Sequence, residues 1–172
     1  MTVKKILTEP NKLLRQISKP VQKVNDEERL LMNDMLDTMY EAPGIGLAAI
    51  QVGVPKRIIV MDVSGDKNKK EPRYFVNPVI KNKNEEKIKY EEGCLSVPDQ
   101  FAEIERSSSC EVEYLDYEGK KQLLKADGLL AICIQHEIDH LEGILFIDYL
   151  SKLKKSMIVK KLSKIKVNRA IL

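Results

Sequence analysis

The chain has 172 residues, 43% hydrophobic and 32% charged, with a formal net charge of +3. That length suits about one domain of roughly 100–200 residues, and the composition is that of a soluble globular protein rather than a disordered linker. No apolar run approaches the ~20 residues of a membrane span, and the first ten residues lack the apolar segment of a secretion signal. Three cysteines (Cys94, Cys110 and Cys133) are an odd count for a disulfide scaffold, so reduced thiols in a cytoplasmic protein are expected, on a single domain spanning 1–172.

In chain order, Asn25 followed by Asp26, Glu27 and Glu28 reads as a helix start, with a capping side chain and acids at the positive end of the dipole. Leu31, Met32, Met35, Leu36 and Met39 then recur at helical spacing, and Ala42-Pro43-Gly44 stops the helix. Residues 57–63 and 74–80 predict short strands, 83–90 a polar one, and 110–114 with 121–124 a hairpin around Asp116–Gly119. Asp127 stands as cap to a helix over 128–141 that Gly143 ends. Leu129–Ile134 make its first half apolar on every side, which predicts a helix inside the fold. Strands followed by a central helix predict an α+β architecture. Residues 151–167 close the chain as a basic helix, with Leu153, Met157, Leu162 and Ile165 expected on one side. Residues 151–172 hold seven Lys and Arg169 against no acid, so the rest of the chain is net acidic.

His136-Glu137-Ile138-Asp139-His140 carries the chemistry. Residues four apart share a helix face, so both imidazoles can reach one metal ion, and Glu137 lies close enough to take a proton from water activated by that ion. These are the only histidines in the chain, and a buried helix leaves them needing partners. A third ligand is found by elimination. Position 146, where one protease class has His, holds Phe146, and no Glu follows Glu142. Asp148 is the one carboxylate left downstream. Cys133 lies seven residues before His140, about 10 Å of helix rise, and Cys110 shares a strand face with Val112 and Tyr114. Both suit packing. Cys94, in Glu92-Gly93-Cys94-Leu95-Ser96, is the remaining thiolate, its alternative being a thiol tucked under a turn. Gly44-Ile45-Gly46-Leu47-Ala48-Ala49-Ile50-Gln51 imitates a dinucleotide fingerprint with Asp62 downstream. A helix precedes it, however, and no crossover helix fits after it. Its small residues permit close backbone approach, and Gln51 offers an amide donor.

Together, Gly-x-Gly-x-Ala-Ala-x-Gln at 44–51, Glu-Gly-Cys-Leu-Ser at 92–96 and Gln-His-Glu-x-Asp-His at 135–140 resemble the peptide deformylase family. The resemblance implies antiparallel sheets around a ligand-bearing helix. It implies one divalent metal held by Cys94, His136 and His140, with Fe(II) the usual cellular ion and Zn, Ni or Co possible after purification. The reaction it implies is removal of the N-formyl group from the formylmethionine of new polypeptides, with Gln51 and the Leu95 N–H on the oxyanion. The methionine side chain would meet Ile45, Leu129, Ile132 and Cys133, and substrate backbone would pair along Ile45, Gly46 and Gly93. Glu92, Arg106 and Asp139 would orient the ligands. At Phe101 some family members carry a basic residue. The implied partners are formylmethionyl nascent peptides and, through the basic helix, the ribosome; no DNA, no membrane and a monomer are expected. The rival readings are a zinc endopeptidase, which lacks its third ligand here, and a noncatalytic metal module serving as a ribosome adaptor, which would need a fourth.

Overall fold

The computed structural model describes residues 2–65 and 69–170, with side chains described through 165. Both ends of the 1–172 span, and the side chains of Lys166 and Arg169 in the basic tail, lie outside the described set.

Helix α1 (Asp26–Glu41) starts as its sequence dictates. The Asn25 side chain accepts from the Glu27 N–H at 2.8 Å, and Glu28 reaches back to the Asn25 N–H at 3.3 Å. Strands β1 (Gly46–Ala48), β2 (Ile58–Met61), β3 (Arg73–Lys83), β6 (Ser109–Leu115) and β7 (Lys121–Asp127) form an antiparallel sheet in the order β1-β2-β3-β6-β7. Strand β2 explains its own unbroken apolar run. Ile58 and Val60 face Met32, Met35 and Met39 of α1, while Ile59 and Met61 face Ala131, Cys133 and Ile134 of α2 (Gly128–Leu141), so both sides are covered.

A second sheet holds only β4 (Lys87–Cys94) and β5 (Val97–Ser107). It packs with Leu145, Phe146, Ile147 and Leu162, bringing in α3 (Lys152–Ala170). Helix α2 touches β1, β2, β6 and β7 of the first sheet and β5 of the second, which puts the histidine-bearing rod between them. The fold is α+β, with antiparallel sheets, a central helix and a C-terminal helix. Among the described residues no helix is long and apolar enough to cross a membrane.

Several expectations change in detail. Residues 97–107, unassigned from sequence, form β5, and 46–48 form a short edge strand instead of loop. Asp127 occupies the cap position of α2 without a side-chain hydrogen bond; β7 runs straight into the helix there. Gly143 does end α2. Its φ is +73°, and a Cβ would come within 2.5 Å of the Arg15 carbonyl oxygen, so the site excludes any side chain. The last helix runs past 167, and its apolar residues do not share one side: Leu162 is buried, whereas Leu153 and Met157 are 71% and 63% exposed. Ile158 and Val159 complete the buried seam.

Candidate metal centre

Three elements deliver the donors. Strand β4 ends on Cys94, and the register shifts there, with Cys94 opposite Val97, so the chain reverses tightly and holds the thiol at the turn. One face of α2 presents His136 and His140 one turn apart, their rings 5.0 Å centroid to centroid. The ligand atoms of Cys94, His136 and His140 lie within 4.8 Å of one another, and Cys94 Sγ is 3.2 Å from His140 Nε2. A tetrahedral ion with metal–sulfur and metal–nitrogen bonds of about 2.3 and 2.1 Å separates sulfur from nitrogen by about 3.6 Å. The donor set therefore fits one ion with little adjustment.

The His136 ring is fixed from behind, whereas His140 Nδ1 is buried with no hydrogen-bond partner among the described residues. Glu92 Oε2 lies 2.8 Å from His136 Nδ1, so Nδ1 carries the proton and Nε2 keeps its lone pair for a metal. Arg106 holds Glu92 with two bonds, Nε to Oε1 at 2.5 Å and Nη2 to Oε2 at 3.0 Å, and reaches Asp139 Oδ2 from Nη1 at 2.8 Å. The Tyr149 hydroxyl donates to the same Asp139 oxygen at 2.8 Å. Burial works to raise the Glu92 pKa, but bonds from His136 and Arg106 outweigh it and hold the carboxyl below its usual range. Phe146, which stands where another protease class has its third histidine, lies near-parallel to the His136 ring at 6.3 Å.

The electrostatics of the donors themselves favour one positive charge. Burial lowers His136, yet hydrogen bonds with Cys94 and Glu92 hold it well above the ordinary imidazole range. His140 falls well below that range, through burial first and then repulsion from His136. Hydrogen bonds with the half-buried Cys94 and with Glu92 thus stabilise one positive charge at this trio, and a divalent ion held by one thiolate and two neutral nitrogens would carry a formal +1 there.

Glu137 sits next to this trio, buried, with one carboxylate oxygen lacking a hydrogen-bond partner among the described residues. Burial and the nearby Glu92 and Asp139 charges push it up to about 7, against the pull of His136 and Arg106, the range in which a carboxyl both takes and returns a proton near neutrality. Gly46 packs directly against it. A Cβ there would collide with Glu137 Oε1 and come within 2.9 Å of Cys133 Sγ, so position 46 has no room for a side chain.

Gln51, in a 3₁₀ turn (Ala49–Val52), is oriented at both ends. Oε1 accepts from the Ala48 N–H at 2.8 Å, and Nε2 donates to Ser96 Oγ at 3.1 Å and points toward Cys94 Sγ at 3.6 Å. These side chains border a cleft of about 470 Å³, along whose walls lie Ile45, Gly46, Gly93, Leu95, Leu129, Ile132 and Cys133. The Cys133 thiol is kept protonated by burial and by Glu137 and Glu92, which suits a wall and not a ligand. Edge strand β1 and strand β4 flank the cleft, each leaving one edge without a partner strand among the described residues.

The residues singled out from sequence therefore converge, with Arg106 and Asp139 behind the ligands and the others at the cleft or the donor trio. Asp148 is elsewhere, bonded to Arg15, Lys155 and the Leu145 N–H. Asp62 accepts from Tyr40, Ser64 and Glu71 in the first sheet's loop and has no part in a nucleotide site. Sequence reasoning passed over Ser96 and Tyr149. Ser96 stood inside the Glu-Gly-Cys-Leu-Ser motif two residues from the thiol, a usable signal; Tyr149 gave none.

A profile of the family described as polypeptide deformylase matches residues 3–156. A peptide deformylase of Pelagibacter ubique is 84% identical over 171 residues, 99% of each chain, and one of Rhizobium meliloti is 54% identical over 95% of this chain and 94% of its own. The crystal structure of a peptide deformylase from Ehrlichia chaffeensis superposes with a TM-score of 0.93 at 43% identity, covering 98% of this chain and 99% of that one. A structure from the same organism in complex with actinonin gives 0.90 at 46%, covering 95% of this chain and 98% of that one. On these matches the chain belongs to the peptide deformylase family, metal-dependent hydrolases that remove the N-formyl group from the N-terminal formylmethionine of newly made polypeptides.

Proposed function

We propose that Cys94, His136 and His140 hold the metal of this deformylase, that the ion in the cell is Fe(II), and that Glu137, Gln51 and the Leu95 N–H act on the formyl group beside it. A thiolate with two imidazoles suits a soft-to-borderline divalent ion, and zinc, nickel or cobalt would take the same donors in purified protein. When bound, the ion supplies Lewis acidity toward the formyl carbonyl and toward water.

The rest is done by side chains and backbone. Glu137 accepts a proton from the attacking water and returns it to the amine nitrogen as the carbon–nitrogen bond breaks, so formate and a free N-terminal methionine leave. The Gln51 amide and the Leu95 N–H donate to the developing oxyanion, and Gln51 enters that role already oriented by Ala48. The methionine side chain occupies the apolar wall of Ile45, Leu129, Ile132 and Cys133. Its backbone adds a strand between Ile45-Gly46 and Gly93, at the edges that β1 and β4 leave without partners. Glu92, Arg106 and Asp139 keep His136 in its metal-facing tautomer.

A monomer working as one catalytic unit in the cytoplasm fits a reduced thiol ligand and a substrate made by ribosomes. The lysines on the open face of α3, Lys160 and Lys164 among them, would draw the enzyme to ribosomal RNA. The observation that carries the site reading is the unpartnered, buried Glu137 oxygen next to three clustered donors. X-ray absorption on anaerobically loaded protein tests it: one sulfur near 2.3 Å and two nitrogens near 2.0–2.1 Å are expected, and a sulfur-free shell would refute the ligand set.

A further inference from the structure

A second groove, of about 590 Å³, lies between β5 and α3. Gln100 and Phe101 line both it and the cleft, so the two run together. The Phe101 ring marks the junction: it is 67% exposed and lies so near Gly93 that a Cβ there would be 2.6 Å from it. Leu150, Met157 and Ile158 make the groove apolar, and Lys154 and Lys161 stand on its helix side. Seven residues of helix separate these lysines by about 10 Å. Among the described residues neither forms an ion pair, whereas neighbouring Lys155 is bound to Asp148. The one acid on the groove wall, Glu103, pairs with Lys89 at 3.4 Å.

We infer that this groove binds the nascent chain downstream of its third residue and favours an apolar side chain flanked by acidic ones. The inference rests on the proposed cleft reading, in which the substrate backbone passes Gly93. Phe101 lies against Gly93, so a chain that leaves the cleft there enters the groove directly, and an extended chain advancing about 3.3 Å per residue needs three or four residues to span the distance between the lysines. Exposed Phe101 and Met157 give the apolar contact, and a flexible thioether adapts to varied side chains. The lysines supply the charge preference. A tethered peptide is present there at high effective concentration whenever its formyl end is bound. Nucleic acid has no such tether, and its phosphates would not use the apolar floor.

The test compares three substrates under anaerobic turnover: formyl-Met-Ala-Ser, formyl-Met-Ala-Ser-Ala-Glu-Leu-Glu, and its Lys-Leu-Lys counterpart. The acidic heptapeptide is expected to exceed the basic one in kcat/KM by about fivefold at low salt, through KM, with the difference shrinking as salt rises. In the double variant Lys154→Glu/Lys161→Glu the order of the two heptapeptides inverts, a result that loss of structure cannot produce. Equal rates for the heptapeptides in the wild type would overturn the groove alone. An acidic preference that survives charge reversal would move it elsewhere on the molecule and likewise overturn the assignment. Failure of wild type to process formyl-Met-Ala-Ser would overturn the cleft reading and the groove with it. Binding of a short RNA that disappears in the double variant, without any heptapeptide preference, would give the groove to nucleic acid.

Discussion

Helices α2 and α3 differ in almost every physical respect, although α2 lines the cleft and α3 the groove that joins it. Helix α2 is enclosed by the two sheets, and specific partners hold its polar side chains except at Glu137 Oε2 and His140 Nδ1, buried atoms that lack one among the described residues. Gln135 Nε2 donates to the Ser107 and Ala131 carbonyls, both at 2.9 Å, His136 has Glu92, and Asp139 has Arg106 and Tyr149. Helix α3 is fastened along one seam and by a clamp in which Asp148 meets both Arg15 and Lys155 at 2.5 Å. The family profile takes in all of α2 and stops five residues into α3. The contrast teaches that an enclosed helix can hold costly groups at defined angles because each missing partner would be expensive. A one-sided helix leaves its outer residues free to vary with the partner.

The largest effects are expected on α2. In Glu137→Gln, kcat for formyl-Met-Ala-Ser should fall about 10²–10⁴-fold while bound metal per chain stays unchanged. Turnover within a few-fold of wild type would remove Glu137 from proton transfer. Next comes Arg106→Met, which leaves Glu92 buried without its cation. Stripping one partner from a buried ion pair costs about 3–5 kcal/mol, so thermal unfolding should drop by about 10 °C in a chain of this size. Metal affinity should weaken about 10–100-fold as His136 loses its orientation. A calorimetric midpoint and chelator competition read the two effects separately.

How much of this the sequence disclosed follows the same division. The helix carrying His136, Glu137 and His140 was readable because spacing of four and an apolar flank are local properties. Cys94 followed by elimination, since few other donors were left to choose. Strand β5 was hidden because Val97–Ser107 alternates imperfectly and packs against α3, and only the tight turn at Cys94 makes it a partner of β4. The link from Arg106 to Asp139 joins residues 33 apart, and that from Tyr149 to the same oxygen crosses the end of α2, so neither left a periodic trace. Leu153 and Met157 misled because helical spacing identifies a face without saying whether anything covers it.

On α3, Leu162→Ala should cost about 2–3 kcal/mol, since it empties a buried site in the seam with β5. Leu153→Ala, at an exposed position, should stay within about 0.5 kcal/mol. Equal costs by urea denaturation would mean that something in solution covers the outer face of α3, and the contrast between the helices would weaken.

The smallest effect belongs to the clamp, and its sign is fixed by titration. Burial works to raise the Asp148 pKa, but hydrogen bonds from Lys155 and the Leu145 N–H, together with Arg15, hold it below the ordinary carboxylate value of about 3.9. A carboxyl whose pKa is depressed on folding stabilises the fold fully above its unfolded pKa and loses that contribution as pH falls through the folded one. Asp148→Asn should therefore cost about 1 kcal/mol or less at neutral pH, because the pair is partly solvated. The wild type and variant should converge in stability only below pH ~4. Paired urea titrations at pH 7 and pH 3 decide it: a gap that persists unchanged in acid would show that Asp148 acts through packing and the Leu145 hydrogen bond rather than through charge. In that case α3 would be anchored by packing and one backbone hydrogen bond, with no contribution from charge, in contrast to α2, whose His136 and Asp139 are held through charged partners.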